Sequence, residues 1–113
     1  MITKFPEHTS PFWNMTRNED GKTSKKIDVI LNGMETIGSA ERSTDRDQMR
    51  NTFETISDGQ YAQLLYDLFG KERVEAELEE FLKFDFFPRV GGGIGMTRMI
   101  AALNKLETVS KAA

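Results

Sequence analysis

Hydrophobic residues recur along this chain with two periods, and the change of period divides it. Between residues 43 and 84 the spacing is helical. Met49, Phe53 and Ile56 fall at i, i+4, i+7, and Tyr61, Leu64, Leu65, Leu68 and Phe69 at i, i+3, i+4, i+7, i+8. Such a stripe covers one face of a 3.6-residue helix and predicts core packing. Gly70 follows as a stop, and Val74, Leu78, Phe81 and Leu82 repeat the pattern in a third helix. Earlier in the chain, Lys26-Ile27-Asp28-Val29-Ile30-Leu31 is β-branched and apolar, and Met34-Glu35-Thr36-Ile37 returns after Asn32-Gly33. Asn-Gly suits a two-residue type I′ turn, whose central positions both need positive φ. A β-hairpin over 26–39 is therefore predicted.

The flanking segments are less regular. Residues 1–25 read as turn-rich, with a short strand Ile2–Phe5 stopped by Pro6, an extended Pro11-Phe12-Trp13, and a polar loop from Asn18 to Lys26. Residues 84–91 predict a short aromatic strand with Pro88 in it, followed by a glycine-rich turn, Gly91-Gly92-Gly93-Ile94-Gly95. A last helix starts near Met96 and carries Met96, Met99, Ile100, Leu103 and Leu106 on one face. Hairpin, helices, strand, helix is the order of an α+β domain with a mainly antiparallel sheet flanked by helices, and residues 1–113 are expected to form one such domain.

Composition narrows the picture only slightly. The chain has 113 residues, 38% hydrophobic and 29% charged, an ordinary globular balance. Its net charge of -3 gives no strongly basic surface to draw in nucleic acid. The absence of cysteine excludes a disulfide framework and a thiolate metal site. No apolar run reaches the roughly 18 residues of a membrane helix. Met1–Phe5 lacks the long apolar core of a signal peptide, so a cytoplasmic protein without membrane contact is expected.

Candidate chemistry concentrates at the hairpin and the glycine run. With Asn32-Gly33 as the turn, Ile30 opposes Glu35 and Asp28 opposes Ile37, so Asp28, Ile30, Glu35 and Ile37 share a face. Diagonal neighbours lie about 7–8 Å apart, within reach of one shared divalent ion. From spacing alone the solvated face of a plain hairpin is the commoner use of two such acids. A strand, a glycine run and a helix start can hold an anion on free backbone N–H groups, and tight strand–helix packing is the rival use of the same glycines. Arg98 sits in the first helical turn, roughly 200° round from Met96. A cation there opposes the helix dipole, which an anionic partner would relieve. His8 is the single histidine, with no arrangement that would build a hydrolase triad around it.

Two of these segments resemble a known family. Gly93-Ile94-Gly95-Met96-Thr97-Arg98-Met99-Ile100 is similar to motif 3 of the class II aminoacyl-tRNA synthetases. Ile27 to Glu35, followed by Gly38-Ser39-Ala40-Glu41-Arg42, is similar to the preceding segment of the aspartyl/asparaginyl/lysyl subgroup. In that subgroup an aspartate, a glutamate seven residues on and an arginine seven further on recur, here Asp28, Glu35 and Arg42. The resemblance covers about residues 1 to 106. Within the family the aspartyl-tRNA synthetase and ammonia-dependent asparagine synthetase forms are nearest.

The resemblance implies an ATP-dependent ligase that activates a carboxylate as an adenylate. It implies Mg²⁺ on Asp28 and Glu35, and nucleotide contacts from Asp28, Glu35, Gly93, Gly95 and Arg98. It gives catalytic roles to Arg98 and Arg42, and amino-acid contacts, aspartate above all, to Arg42 and Ser39. The implied partners are aspartate, ATP, tRNA, and either a second copy or a missing N-terminal half. The chain departs from the pattern at Thr97, where synthetases usually carry an acidic residue, and at Glu41. Neither motif 1 nor the arginine of motif 2 is recognisable. Arg17-Asn18-Glu19 has the bare form of motif 2 but lies too close to the hairpin. Three readings follow: a C-terminal half of a catalytic domain, inactive in isolation; a non-catalytic paralogue that binds a nucleotide or amino acid or serves in dimerisation or regulation; or an α+β domain with no ligand. Strict alternation from Glu35 would turn Arg42 to the opposite face, so a bulge or strand end is expected at Gly38.

Overall fold

A computed structural model describes residues 1–9 and 11–112. Its sheet has four strands in the order β1-β2-β3-β4: Ile2–Pro6, Thr23–Leu31, Met34–Arg42 and Arg89–Ile94. Every neighbouring pair is antiparallel. Between β3 and β4 the chain forms helices α1 (Arg46–Thr55), α2 (Gln60–Phe69) and α3 (Lys71–Leu82). Helix α4 (Met96–Ala112) follows β4. The α+β antiparallel architecture is the one the sequence pattern predicts.

Local chemistry explains most boundaries. Asn32 and Gly33 both take positive φ, 52° and 73°, as a primed turn needs. Helix α1 begins at Asp45, whose carboxylate accepts the Gln48 N–H and satisfies a free helix-start donor. Ser57, Asp58 and Gly59 at φ 54°, 55° and 80° break the chain between α1 and α2.

Some expectations are corrected. The hairpin is longer than 26–39, because Asn18 to Lys26 is not all loop and β2 starts at Thr23. The aromatic segment 84–88 is not the strand. The glycines are: Gly91, Gly92 and Gly93 lie inside β4, opposite Ala40, Ser39 and Gly38. Hydrogen bonding to β3 outweighs the poor strand propensity of glycine there. Helix α4 runs past residue 106, to Ala112.

The core is smaller than the stripes predict. Met49, Phe53, Ala62, Val74, Leu78 and Leu82 are buried among the helices. Trp13 packs on them edge-to-face, its ring centroid 5.6 Å from Phe53 and 5.5 Å from Phe81. Arg17 ties the N-terminal segment down. It pairs with both Glu7 oxygens at 2.8 Å and donates to the carbonyls of Pro11, Phe12 and Met15. By contrast Leu64, Leu68 and Phe69, and on α4 Met96, Ile100, Leu103 and Leu106, are more than half exposed. The radius of gyration is 17.8 Å, against about 13 Å for a compact chain of this length. Among the described residues no helix is long and apolar enough to cross a membrane.

Candidate functional site

The site is built on one face of the sheet, and a single extra residue makes it. Ile30 pairs with Glu35 as expected, but Val29 pairs with Ile37 and Asp28 with Gly38. Thr36 is left over as a β-bulge, two residues before the expected position. Its side chain is buried and its carbonyl accepts the Gly95 N–H at 2.8 Å. A bulge shifts alternation by one. Ile37 therefore leaves the face of Asp28, and Gly38, Ala40 and Arg42 join it. Glu35 stays with them. A Cβ on Gly38 would lie 2.6 Å from Glu35 Oε1 and 3.4 Å from Asp28 Oδ1. The two distances together cap the separation of those oxygens at about 6 Å.

Asp28 is the most constrained acid. Its side chain is 7% exposed, and Oδ2 accepts Lys26 Nζ at 2.6 Å. Its Oδ1 is buried with no hydrogen-bond partner. A buried carboxylate oxygen without a partner is costly. A cation would supply what the oxygen lacks, and Glu35 is exposed beside it. Among the described residues no three acids or histidines gather to hold a metal unaided. Two carboxylates completed by phosphate oxygens are the usual Mg²⁺ arrangement, so the donor set fits that ion.

The two arginines flank this pair. Arg98 Nη1 donates to the Glu35 backbone carbonyl at 2.6 Å, which brings a guanidinium from the first turn of α4 to the hairpin. Arg42 lies at the far end of the same face. It donates to Asn14 Oδ1 at 3.1 Å and to the Gly91 carbonyl at 3.3 Å. A Cβ on Gly91 would meet Arg42 Nε at 3.1 Å, so this glycine leaves room for the guanidinium to lie over β4. Gly93, opposite Gly38, has nothing within 4 Å of a built Cβ and leaves bare backbone beside the acids. Gly95 is packed instead, with the Arg98 Cδ 3.3 Å from its Cβ position.

Ser39 is separated from these residues. It pairs with Ile27 and Gly92, and a Cβ on Gly92 would lie 2.7 Å from its own Cβ, so it points to the opposite face. There it borders a cavity of about 300 Å³ with Lys25, Ile27, Glu41 and Val90. Two residues that touch the site escape sequence reasoning. Lys26 was legible in principle, because alternation sets it beside Asp28. Asn14 carries no sequence signal; only folding of the N-terminal segment brings it to Arg42.

This face carries the acid–acid–arginine spacing and the glycine–arginine segment together, and the whole chain, residues 1–113, matches the model of the tRNA synthetases class II (D, K and N). The chain belongs to that family. An aspartate–tRNA(Asp) ligase of Pyrobaculum aerophilum is 31% identical over 111 residues, which span 98% of this chain and 23% of that protein. An asparagine–tRNA ligase of Xanthomonas euvesicatoria is 28% identical over 114 residues, 99% of this chain and 22% of its own length. The fold is shared with the asparaginyl-tRNA synthetase from Pyrococcus horikoshii, at a TM-score of 0.65 and 21% identity over 93% of this chain and 23% of that one. This class II chain thus spans under a quarter of the length of these relatives. ATP and Mg²⁺ use is general to its family.

Proposed function

We propose that this face binds Mg²⁺-ATP and an acidic amino acid, as part of an ATP-dependent ligase that activates an aspartate-type carboxylate. The observation that carries the reading is the buried, unpartnered Oδ1 of Asp28 beside the Glu35 carboxylate, flanked by Arg98 and Arg42. Asp28 and Glu35 would hold the ion, which neutralises phosphate charge when bound. Arg98 adds a planar donor suited to phosphate oxygens. Exposed Gly93 lets a nucleotide lie against bare backbone. Arg42 presents a fork that matches a carboxylate, with Asn14 and the Gly91 carbonyl fixing its angle. Chemistry of this kind is mostly positioning and charge neutralisation, which these residues supply without a nucleophile of their own.

Calorimetric titration of Mg²⁺-ATP tests the site. Glu35→Ala and Arg98→Ala should each weaken binding, and unchanged affinity in both would remove the assignment. Arg42→Ala should cost about 1.5–3 kcal/mol in aspartate affinity, the worth of a hydrogen bond to a charged group, or tenfold or more. Asparagine and lysine should bind the unsubstituted chain more weakly than aspartate does. Equal binding of all three would end the aspartate assignment.

In the same reading the chain is the C-terminal part of a catalytic domain. Alone it should not support aspartate-dependent pyrophosphate exchange at an enzyme-like rate. The exposed apolar stripe of α4 is the observation that favours a missing protein surface, from a preceding segment or a second copy. Whether the final acceptor is tRNA or ammonia would show in which of the two turns over a preformed adenylate.

A further inference from the structure

We infer that Lys26 is a positioning residue that keeps the Asp28–Glu35 pair from taking up a divalent cation before a nucleotide arrives. The inference rests on the reading of that pair as the cation site, and it adds an order of binding.

Lys26 stands two residues before Asp28 on β2, so both side chains rise from the same face of the sheet. Opposite Lys26 is Ala40, 2% exposed, whose small side chain leaves space for the lysine stem. The ammonium is gripped from two sides. Asp28 Oδ2 lies 2.6 Å from Nζ, and the Phe5 ring centroid lies 4.0 Å away, within cation–π range. Side-chain exposures of 21% for Lys26 and 7% for Asp28 remove this pair from most solvent screening.

Two consequences follow from chemistry. One oxygen of Asp28 is spoken for, so only Oδ1 is presented toward Glu35. The charge of the site is also cancelled in advance. Asp28 and Glu35 carry two negative charges; Lys26, and Arg98 hydrogen-bonded to the Glu35 carbonyl, carry two positive ones. A hydrated divalent ion approaching alone meets little net negative charge and has small reason to shed its waters. A triphosphate brings the missing negative charge and oxygen ligands together, and Oδ1 then has its partner. A free-standing acid pair would bind the ion first; this one waits.

The test is titration of Mn²⁺ alone into the full chain, read by electron paramagnetic resonance of the free ion. Lys26→Gln removes the charge while its amide can still donate to Oδ2. It should bind Mn²⁺ about tenfold more tightly than the unsubstituted chain, the scale of one unit charge removed within several ångströms of a screened site. Lys26→Arg should return affinity to the starting value, and Glu35→Gln added to Lys26→Gln should abolish the gain. A Lys26→Gln chain with unchanged circular dichroism and no tighter Mn²⁺ binding overturns the role of Lys26. A measurement without any variant guards against a misfolded mutant. Equilibrium dialysis, in which ATP and its Mn²⁺ complex equalise across the membrane, should show ATP raising the affinity with which the unsubstituted chain retains Mn²⁺ at least about tenfold, and equal retention with and without ATP overturns the inference. The underlying site is judged separately by the same dialysis of Glu35→Gln in the presence of ATP. If that variant leaves Mn²⁺ binding intact, the cation site itself fails; if it abolishes binding while Lys26→Gln changes nothing, only the ordering fails.

Discussion

The helical block and the β4–α4 unit both carry apolar stripes, and only the block closes one into a core, although Leu64, Leu68 and Phe69 of α2 stay more than half exposed. In the block, Met49 and Phe53 of α1, Ala62 of α2 and Val74, Leu78 and Leu82 of α3 close on one another, with Trp13 from the N-terminal segment wedged among them. In the β4–α4 unit, Val90, Ile94, Met96, Ile100, Leu103, Leu106 and Val109 are all more than half exposed. The sheet face that carries the candidate site is held by strand pairing and a few polar contacts, such as Arg98 on the Glu35 carbonyl, rather than by a core. Stability and proposed function therefore sit in different parts of the chain. Substitutions should separate them.

The largest effect is expected in the block. Phe53 is 3% exposed and stacks edge-to-face on both Trp13 and Tyr61. Phe53→Ala should destabilise the chain by about 3–5 kcal/mol, the usual cost of a deleted core aromatic. Urea unfolding followed by tryptophan fluorescence measures it directly. A loss below about 1 kcal/mol would mean that this cluster is not the stabilising core.

A smaller effect should divide neighbouring glycines of β4. A Cβ on Gly92 would lie 2.6 Å from the Gly38 carbonyl oxygen and 2.7 Å from Ser39 Cβ. Backbone has to move, so Gly92→Ala should cost about 1–3 kcal/mol, as overpacking does. Gly93 meets nothing within 4 Å, and Gly93→Ala should leave thermal stability nearly unchanged. If Gly93 is bare so that a nucleotide can approach, Gly93→Ala should still weaken Mg²⁺-ATP binding. Equal melting shifts for the two alanines would remove the distinction.

The block also contains a titration that the face of the candidate site should not feel. Tyr66 on α2 donates its hydroxyl to the Glu75 carboxylate on α3, and this bond raises the phenol from 10.0 to about 12. The folded state thus holds the proton more tightly than the unfolded one. The resulting stability is fully present below pH 10 and is lost as pH rises from there through about 12. Tyr66 is only part-buried, so the contribution should stay near or below about 1 kcal/mol. Comparison of unfolding at pH 8 and pH 11 in the parent chain and in Tyr66→Phe should show the variant losing less. An identical alkaline loss in both would assign it to other groups.

What the sequence discloses follows the same division between local and distant causes. Asn32-Gly33 announces its turn because the chemistry of positive φ is contained in two residues. Asp28, Glu35 and Arg42 could be picked out by spacing, and so could the need for a bulge to bring them to one face, but its place at Thr36 could not. The bulge at Thr36 is stabilised by Gly95, whose N–H bonds its carbonyl from the far side of the helical block. Glycines 91–93 suggest a turn on propensity alone and become a strand through their pairing with β3. Ser39 illustrates the reverse error: a residue inside the family segment is turned away from the site by alternation. Periodicity shows that Leu64 and Leu103 each belong to an apolar face, but not whether anything covers that face.

The smallest effect on the folded chain, and the most instructive, concerns that last point. Leu103 is 56% exposed on α4. Leucine and serine differ in helix propensity by less than about 0.7 kcal/mol, and a substitution at such a surface site usually stays within about 0.5 kcal/mol. Leu103→Ser should therefore barely shift the unfolding midpoint of a dilute sample. Association should respond much more. Met96, Ile100, Leu103 and Leu106 form a continuous stripe, and an apolar stripe of this kind favours contact with another surface. Light scattering over a concentration series should show the parent chain gaining mass and Leu103→Ser gaining less. The comparison between block and β4–α4 unit predicts this contrast: a large stability cost with little change in association for Phe53→Ala at temperatures where it remains folded, and the opposite for Leu103→Ser. A parent chain that stays monomeric at high concentration would show that the stripe tolerates water. A Leu103→Ser chain that unfolds like Phe53→Ala would show that α4 is packed in solution, and that the division of labour drawn between the two regions is wrong.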